Sequence, residues 1–264
     1  MKLAITSWAV IGLCLTTATV RAEETPQSDF LNIAPCQTHN EKAEARAAKV
    51  AEKLQKAFVK ADVSALRALA PEMETAIGEA PLPPYYAEKC DTRLFIYSDN
   101  LPSQLVLGVL LETAAKKNAN PDGKKLEIVA KPASPFALIS YGLAWVYADR
   151  KDYTRCVTIL VDGRQRDPWN EAILSEYLFC LAQSGRNAES LAEAEKALEN
   201  PFFNLTDYTR AKVLRHKGYA LVELQKWDEA EFAYKDSLKF DGSSQLAKNE
   251  LLYIQQMRAQ KSKP

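Results

Sequence analysis

Two histidines, five cysteines and 34 acidic side chains are the chain's stock for metal, redox or acid–base chemistry. No two cysteines stand in a Cys-x-x-Cys spacing, and only His39 and His216 could supply imidazole to a metal. Zinc and thiol redox sites need such groups clustered at short spacing, so the sequence predicts no metal and no cofactor. His39 near Cys36 has the residue types of a thiol nucleophile and its base, but no Asn or Asp to orient the imidazole and no oxyanion loop can be placed beside them. Glu193/Glu195 and Asp228/Glu229 are carboxylate pairs that read as solvated helix faces. His216 stands between Arg215 and Lys217, a surface or groove position more than that of a base. No Gly-x-Ser-x-Gly, phosphate-binding loop, His-Glu-x-x-His or dinucleotide glycine fingerprint occurs. The chain is therefore expected not to be an enzyme.

The elements that position these residues are expected to be helices. Of 264 residues only nine are Gly, about half of average usage, in a chain rich in Ala, Leu, Glu and Lys. Lys+Arg and Asp+Glu are equal at 34 each, so no net field recruits nucleic acid. Met1-Lys2, the apolar run Leu3 to Leu15 and Val20-Arg21-Ala22 before Glu23 have the layout of a cleavable export signal over residues 1–22. Cys14 lies inside the apolar run after Leu13, the wrong setting for a lipid-bearing cysteine. That run is short for a hydrocarbon core of about 30 Å, so no membrane span is expected and the mature chain is read as periplasmic or secreted. Export leaves Cys36, Cys90, Cys156 and Cys180. An even number in an oxidising compartment implies two disulfides, with three connectivities open, or else four buried thiols.

Residues 23–35 read as a flexible lead and residues 36–135 as a mainly helical N-terminal region whose helices pack against the segment that follows, with one degenerate hairpin left open. Asn40 can cap a helix from Glu41 to about Lys60, with an apolar stripe at Ala43, Ala47, Val50, Leu54 and Phe58. Asp62 can cap a shorter helix carrying Val63, Leu66 and Leu69 and stopped near Pro71. Leu94 to Tyr97 reads as a short strand or an extended apolar plug, Gln104 to Lys117 as a buried helix, and Leu126 to Ala130 as extended.

From Phe136 onward the chain repeats itself. Gly218, Ala230, Tyr234 and Ser237 place small residues and an aromatic at fixed helical spacing, closing near Asp241-Gly242. The run Gly185 to Leu191 with Lys196-Ala197-Leu198 and Pro201 is a second copy, and Lys151-Asp152-Tyr153 with Cys156, Leu160, Gly163 and Asp167-Pro168 a third. Cys156 and Ser190 stand 34 residues apart, and Ser190 to Ala230 adds a loop around Phe202 to Asp207. This pattern resembles the tetratricopeptide repeat family, over about the last half of the chain. The resemblance implies an all-α helical-hairpin solenoid of about three repeats (137–170, 171–204, 211–244) and a C-terminal capping helix within 136–261.

In this family the first helices of successive hairpins line a concave surface. The resemblance puts Trp145, Phe179 and Tyr219 at one equivalent groove position, Tyr141, Ser175 and Arg215 at a second, and Leu138, Ala172 and Lys212 at a third. It implies an exported module that binds a protein or peptide partner bearing apolar side chains and a carboxylate, with Lys212 and Arg215 at the basic end. The sequence leaves open whether that face is free or covered by the N-terminal region. It also leaves open an enzyme or small-ligand binder whose site lies in the N-terminal half, with the repeats as a docking arm. Adjacent helices of such a stack can bring Cys156 and Cys180 within bonding range, which pairs Cys36 with Cys90. Asn204-Leu205-Thr206 matches a glycosylation acceptor.

Overall fold

A computed structural model describes residues 34–36, 40–82, 86–98, 109, 127–200 and 205–261. The export signal, His39, the helix read over Gln104 to Lys117 apart from Val109, Asn204 and the last three residues lie outside the described residues. In chain order the elements are β1 (Ala34–Pro35), α1 (Glu41–Val59), α2 (Val63–Ala68), α3 (Ala70–Gly78), β2 (Ala87–Cys90), β3 (Arg93–Tyr97) and β4 (Glu127–Lys131). There follow α4 (Pro135–Asp149), α5 (Tyr153–Arg166), α6 (Glu171–Gln183), α7 (Asn187–Glu199), α8 (Asp207–Glu223), α9 (Trp227–Phe240) and α10 (Gln245–Lys261).

The solenoid read from the sequence is the architecture of the C-terminal half: α4/α5, α6/α7 and α8/α9 are antiparallel hairpins, and α10 packs on α9. Small residues set their closeness. A β-carbon at Gly163 would lie 3.0 Å from Ser140 Cβ, and one at Gly218 would lie 2.8 Å from the Tyr234 ring. Glycine is what lets these helices approach the short end of the usual interaxial range. Cys156, Leu160, Leu181, Ala230 and Tyr234 are all fully buried where the repeat pattern places them.

The three hairpin turns share one geometry. The chain leaves each first helix through a cap residue, takes one residue in the left-handed region (Lys151, φ 60°; Gly185, φ 79°; Gln225, φ 58°) and re-enters a helix two residues later. The amide of the following residue closes a six-residue ring, as in Asp152 N to Tyr147 O at 2.8 Å, Arg186 N to Leu181 O at 2.9 Å and Lys226 N to Leu221 O at 2.8 Å. The turn from α1 to α2 is the same: Ala61 has φ 50° and Asp62 N donates to Ala57 O at 3.0 Å. The N-terminal helices thus form a further hairpin in the stack, whose second arm is broken into α2 and α3. The short helix capped by Asp62 ends at Ala68, near Pro71 as the sequence indicates, and the next helix takes Pro71 in. It stands in the first turn of α3, where its missing N–H costs nothing. Leu54 of α1 and Met73 of α3 pack over Gly142 of α4, where a β-carbon would lie 2.5 Å from Leu54 and 3.0 Å from the Met73 sulfur.

Within the N-terminal region the reading as mainly helical needs one addition, a four-stranded sheet of order β1-β2-β3-β4. β2 and β3 are antiparallel through a two-residue turn at Asp91-Thr92, with Asp91 at φ 52°. The outer pairings, β1 with β2 and β3 with β4, are parallel, with Pro35 opposite Lys89 and Leu94 opposite Ile128. The next position of the first ladder is Cys36 opposite Cys90, and these two are disulfide-bonded at a Cα–Cα distance of 4.7 Å, close to the normal strand spacing. The second disulfide joins Cys156 of α5 to Cys180 of α6 at 6.1 Å, so it ties the first repeat hairpin to the next.

Candidate functional site

The first helices of the hairpins are α1, α4, α6 and α8, and equivalent stripes can be counted along them. Counting back from the left-handed turn residue, the stripe on α8 is Lys212, His216, Tyr219 and Glu223. Its equivalents are Ala172, Glu176, Phe179 and Gln183 on α6, Leu138, Gly142, Trp145 and Asp149 on α4, and Ala48, Glu52, Gln55 and Val59 on α1. The spacing i, i+4, i+7, i+11 keeps each set on one helix face.

Two cavities lie along this surface. One, of about 410 Å³, is lined by Trp145, Ala148 and Asp149 of α4, Ser175, Glu176 and Phe179 of α6, and Lys212 and His216 of α8. The other, of about 740 Å³, runs between α1 and the β4–α4 connection and is walled by Ala48, Glu52, Gln55, Leu138, Tyr97 and Lys131 among others. The structure therefore brings Trp145, Phe179 and Lys212 into one cavity.

Three other groove candidates lie elsewhere. Tyr141 is half-buried beneath Phe58 of α1, ring centroids 5.5 Å apart, so the N-terminal hairpin covers that end of the expected strip. Arg215 is bound to Asp241 at 3.0 Å and is only 14% exposed, because the α9–α10 turn brings a carboxylate to its flank of α8. Tyr219 lies one turn beyond His216, outside the cavity lining, and is hydrogen-bonded to Gln183 of α6. Glu176, Asp149 and Ala148 are lining residues that the sequence reading did not single out, whereas Ser175 is one it put at a groove position. The signal for Glu176 was present: it lies four residues after Ala172 and three before Phe179.

Local chemistry holds the lining in place. Arg67 of α2 makes a two-pronged ion pair with Asp149 at 2.8 and 2.9 Å, buttressing the rim next to Trp145. Phe179 meets Tyr153 edge to face, centroids 6.1 Å apart. Glu171, at the start of α6, accepts from Thr206 N at 3.0 Å and from the Thr209 hydroxyl, which fixes the entry of α8 and so the place of Lys212. Glu176 lies beside the Cys156–Cys180 disulfide. Burial raises its carboxyl pKa, and the Lys212 ammonium partly offsets that. Both groups with metal-ligand spacing among the described residues consist of these disulfide cysteines and one glutamate, and bonded sulfurs do not ligate as thiolates.

Ser175 Oγ and His216 Nε2 are 3.2 Å apart, which invites a nucleophile–base reading. The imidazole is a poor base, because burial and the neighbouring Lys212 and Arg215 lower its pKa from 6.5 to about 4. The serine is 2% exposed. The bond satisfies a half-buried imidazole and joins α6 to α8.

This histidine has a measurable consequence. Its folded-state pKa lies below its unfolded value, so between pH 6.5 and about 4 the unfolded chain takes up a proton that the folded chain refuses. Stability is lost as pH falls through that window. Urea unfolding at roughly pH 7.5 and roughly pH 5 should show the native chain losing about 2 kcal/mol more than the His216→Gln variant. Equal losses in the two proteins would refute the buried neutral imidazole.

No protein-family model matches the chain, and no curated protein matches it. Among solved structures the chain is similar to the first tetratricopeptide domain of human RPAP3, at 23% identity over 47% of this chain and 94% of that one, TM-score 0.43. It is also similar to the tetratricopeptide domain of Sgt2 from Aspergillus fumigatus (18%, 50% and 86%, TM-score 0.43). A third is a tetratricopeptide repeat protein from Parabacteroides merdae (12%, 82% and 61%, TM-score 0.47).

Proposed function

We propose that this chain is a non-enzymatic interaction module that holds an extended segment of a protein partner on its concave face. The observation that carries this reading is the cavity in which Trp145 and Phe179 stand on successive helices beside Lys212. Both aromatics stay partly exposed although they pack against the core. Aromatic anchors that a partner can desolvate dominate binding energy at such surfaces. Lys212 and the half-buried Glu176 add polar groups that select what lies over them, an acidic group at Lys212 being favoured. The two disulfides support an exported chain working in an oxidising compartment, periplasmic or secreted. No helix among the described residues is long and apolar enough to cross a membrane.

A crosslinked pull-down from the native compartment tests this reading. Trp145→Ala combined with Phe179→Ala should reduce recovery of the specific partner at least about tenfold, the loss of one hot-spot contact. The larger cavity between α1 and β4 favours a second reading, a small ligand held by the N-terminal half. Partner recovery indifferent to Trp145 and Phe179, but sensitive to Gln55→Trp in that cavity, would replace the first reading with the second.

A further inference from the structure

The larger cavity, between α1 and the β4–α4 connection, has a charge balance that the chain as a whole lacks. Across the chain acidic and basic side chains are equal at 34 each. Around this cavity stand four carboxylates, Glu41, Glu44, Glu52 and Glu88, against one ammonium, Lys131. That ammonium lies over the Phe95 ring, 5.6 Å from its centre, and Phe95 is not part of the lining. A hollow walled by one sign of charge and by low-dielectric surface focuses its field on whatever enters.

Its walls come from three elements. α1 keeps Ala43, Ala47 and Leu54 in the core and lines the cavity with Glu44, Ala45, Ala48, Ala51, Glu52 and Gln55, at helical spacing. The alanines make the hollow, since a longer side chain at Ala48 would occupy it. Pro135 and Leu138 of α4 wall it as well, so its middle is apolar. The sheet supplies Glu88, which is only 4% exposed. Glu88 stands opposite Phe95 in the β2–β3 ladder, hence on one sheet face with Tyr97, whose hydroxyl donates to it at 3.2 Å. Burial and the charges of Glu88 and Glu44 raise the Tyr97 pKa, so the phenol keeps its proton and stays a donor. A charge held that deep in a cavity wall acts strongly on what fills the cavity.

We propose that this cavity holds a small aliphatic diamine, with one ammonium at the Glu44 and Glu88 end, its methylene chain along Ala48 and Leu138, and the other ammonium at the Glu52 and Gln55 end. The volume of about 740 Å³ lies within the range of about 300–1,000 Å³ usual for small-molecule sites, so it suits a whole ligand more than one side chain. Glu44 and Glu52 are eight residues or about 12 Å apart along α1, which suits charges separated by a chain. Glu52 is paired with Lys56 at 2.6 Å, an exposed pair of the weak kind that a ligand ammonium displaces. A divalent metal ion does not fit. Among the described residues no three of these carboxylates bring oxygens within 4.8 Å of one another, and hard cations take six or more oxygens. The proposal does not rest on the groove reading, because Trp145 and Phe179 line the other cavity.

Isothermal titration calorimetry of the full chain tests this with octanediamine dihydrochloride, an amine at each end. The matching octanediol is the neutral twin, and sodium chloride at equal ionic strength is the salt control. The expected result is saturable binding of one diamine per chain and none of the diol. Glu44→Gln should weaken that binding at least about tenfold, the loss of one charge-assisted contact. Ala48→Leu should weaken it as much, because it fills the hollow and leaves every charge in place. Trp145→Ala with Phe179→Ala should bind the diamine as the native chain does. No saturable binding, heat matched by sodium chloride, equal binding of the diol, or unchanged affinity in either cavity variant overturns the inference. Loss of diamine binding in the aromatic variant overturns its placement in this cavity. Partner capture is read separately by the pull-down, so each reading fails on its own result.

Discussion

Replacing Cys36 and Cys90 together by alanine should lower the free energy of unfolding by about 4 kcal/mol, and replacing Cys156 and Cys180 by about 3 kcal/mol, on the loop-closure model. The bonds close loops of 54 and 24 residues, and the longer loop restricts the unfolded chain more. The two bonds should also differ in how they are lost. Cys36 is exposed, whereas Cys156 and Cys180 are fully buried between α5 and α6. Under native conditions a thiol reductant should open Cys36–Cys90 first, and Cys156–Cys180 should yield only with unfolding of the stack. Timed alkylation followed by mass spectrometry reads both. Simultaneous labelling of all four cysteines before any loss of helical signal would contradict the buried position of the second bond.

Arg166→Leu should cost about 3 kcal/mol or more, because it leaves a carboxylate in the protein without its cation. The Arg166 side chain is 3% exposed at the end of α5. It grips both oxygens of Asp162 at 2.6 and 2.8 Å, donates to the Pro81 carbonyl at 3.0 Å, and lies 5.5 Å from the centre of the Phe136 ring. This one side chain ties the segment after α3 to the first repeat hairpin, while Ser140 donates to the same Asp162 at 3.3 Å. Asp162→Asn should be costly too, and the double variant should cost less than the sum of the two. Denaturant unfolding of the three proteins provides the cycle. A cost below about 1 kcal/mol for Arg166→Leu would mean an ordinary surface pair.

Arg166 was not evident from the residue pattern, and the degenerate hairpin left open for the N-terminal region was not located there as α1 to α3, for different reasons. Arg166 stands among Arg164, Gln165 and Asp167, a run that reads as a solvated helix end. Its burial comes from Pro81 and Phe136, which no local spacing connects to it. The α1–α2 turn escaped notice because its left-handed residue is Ala61, where the other turns have Lys, Gly or Gln, and because Pro71 hides the helical period of the second arm. Asn40 and Asp62, by contrast, cap helices where the sequence placed them, accepting from Ala43 N at 3.1 Å and Ala65 N at 2.9 Å. Capping is a matter of three or four residues, so it can be read locally.

The groove divides in the same way. The sequence, through the repeat resemblance, put Trp145, Phe179 and Tyr219 at one helical phase, since 3.6 residues per turn ties position in a repeat to a face of its helix. It also determined the small residues that let the hairpins close, and the even set of cysteines. Only the tertiary structure decided what each face meets. It set Phe58 over Tyr141 and drew Arg215 to Asp241. Those contacts join residues 83 and 26 positions apart, counting 141 − 58 and 241 − 215. They follow from how one helix packs on the next, because a periodic pattern specifies a surface while its neighbour across the stack is set by the packing of whole elements.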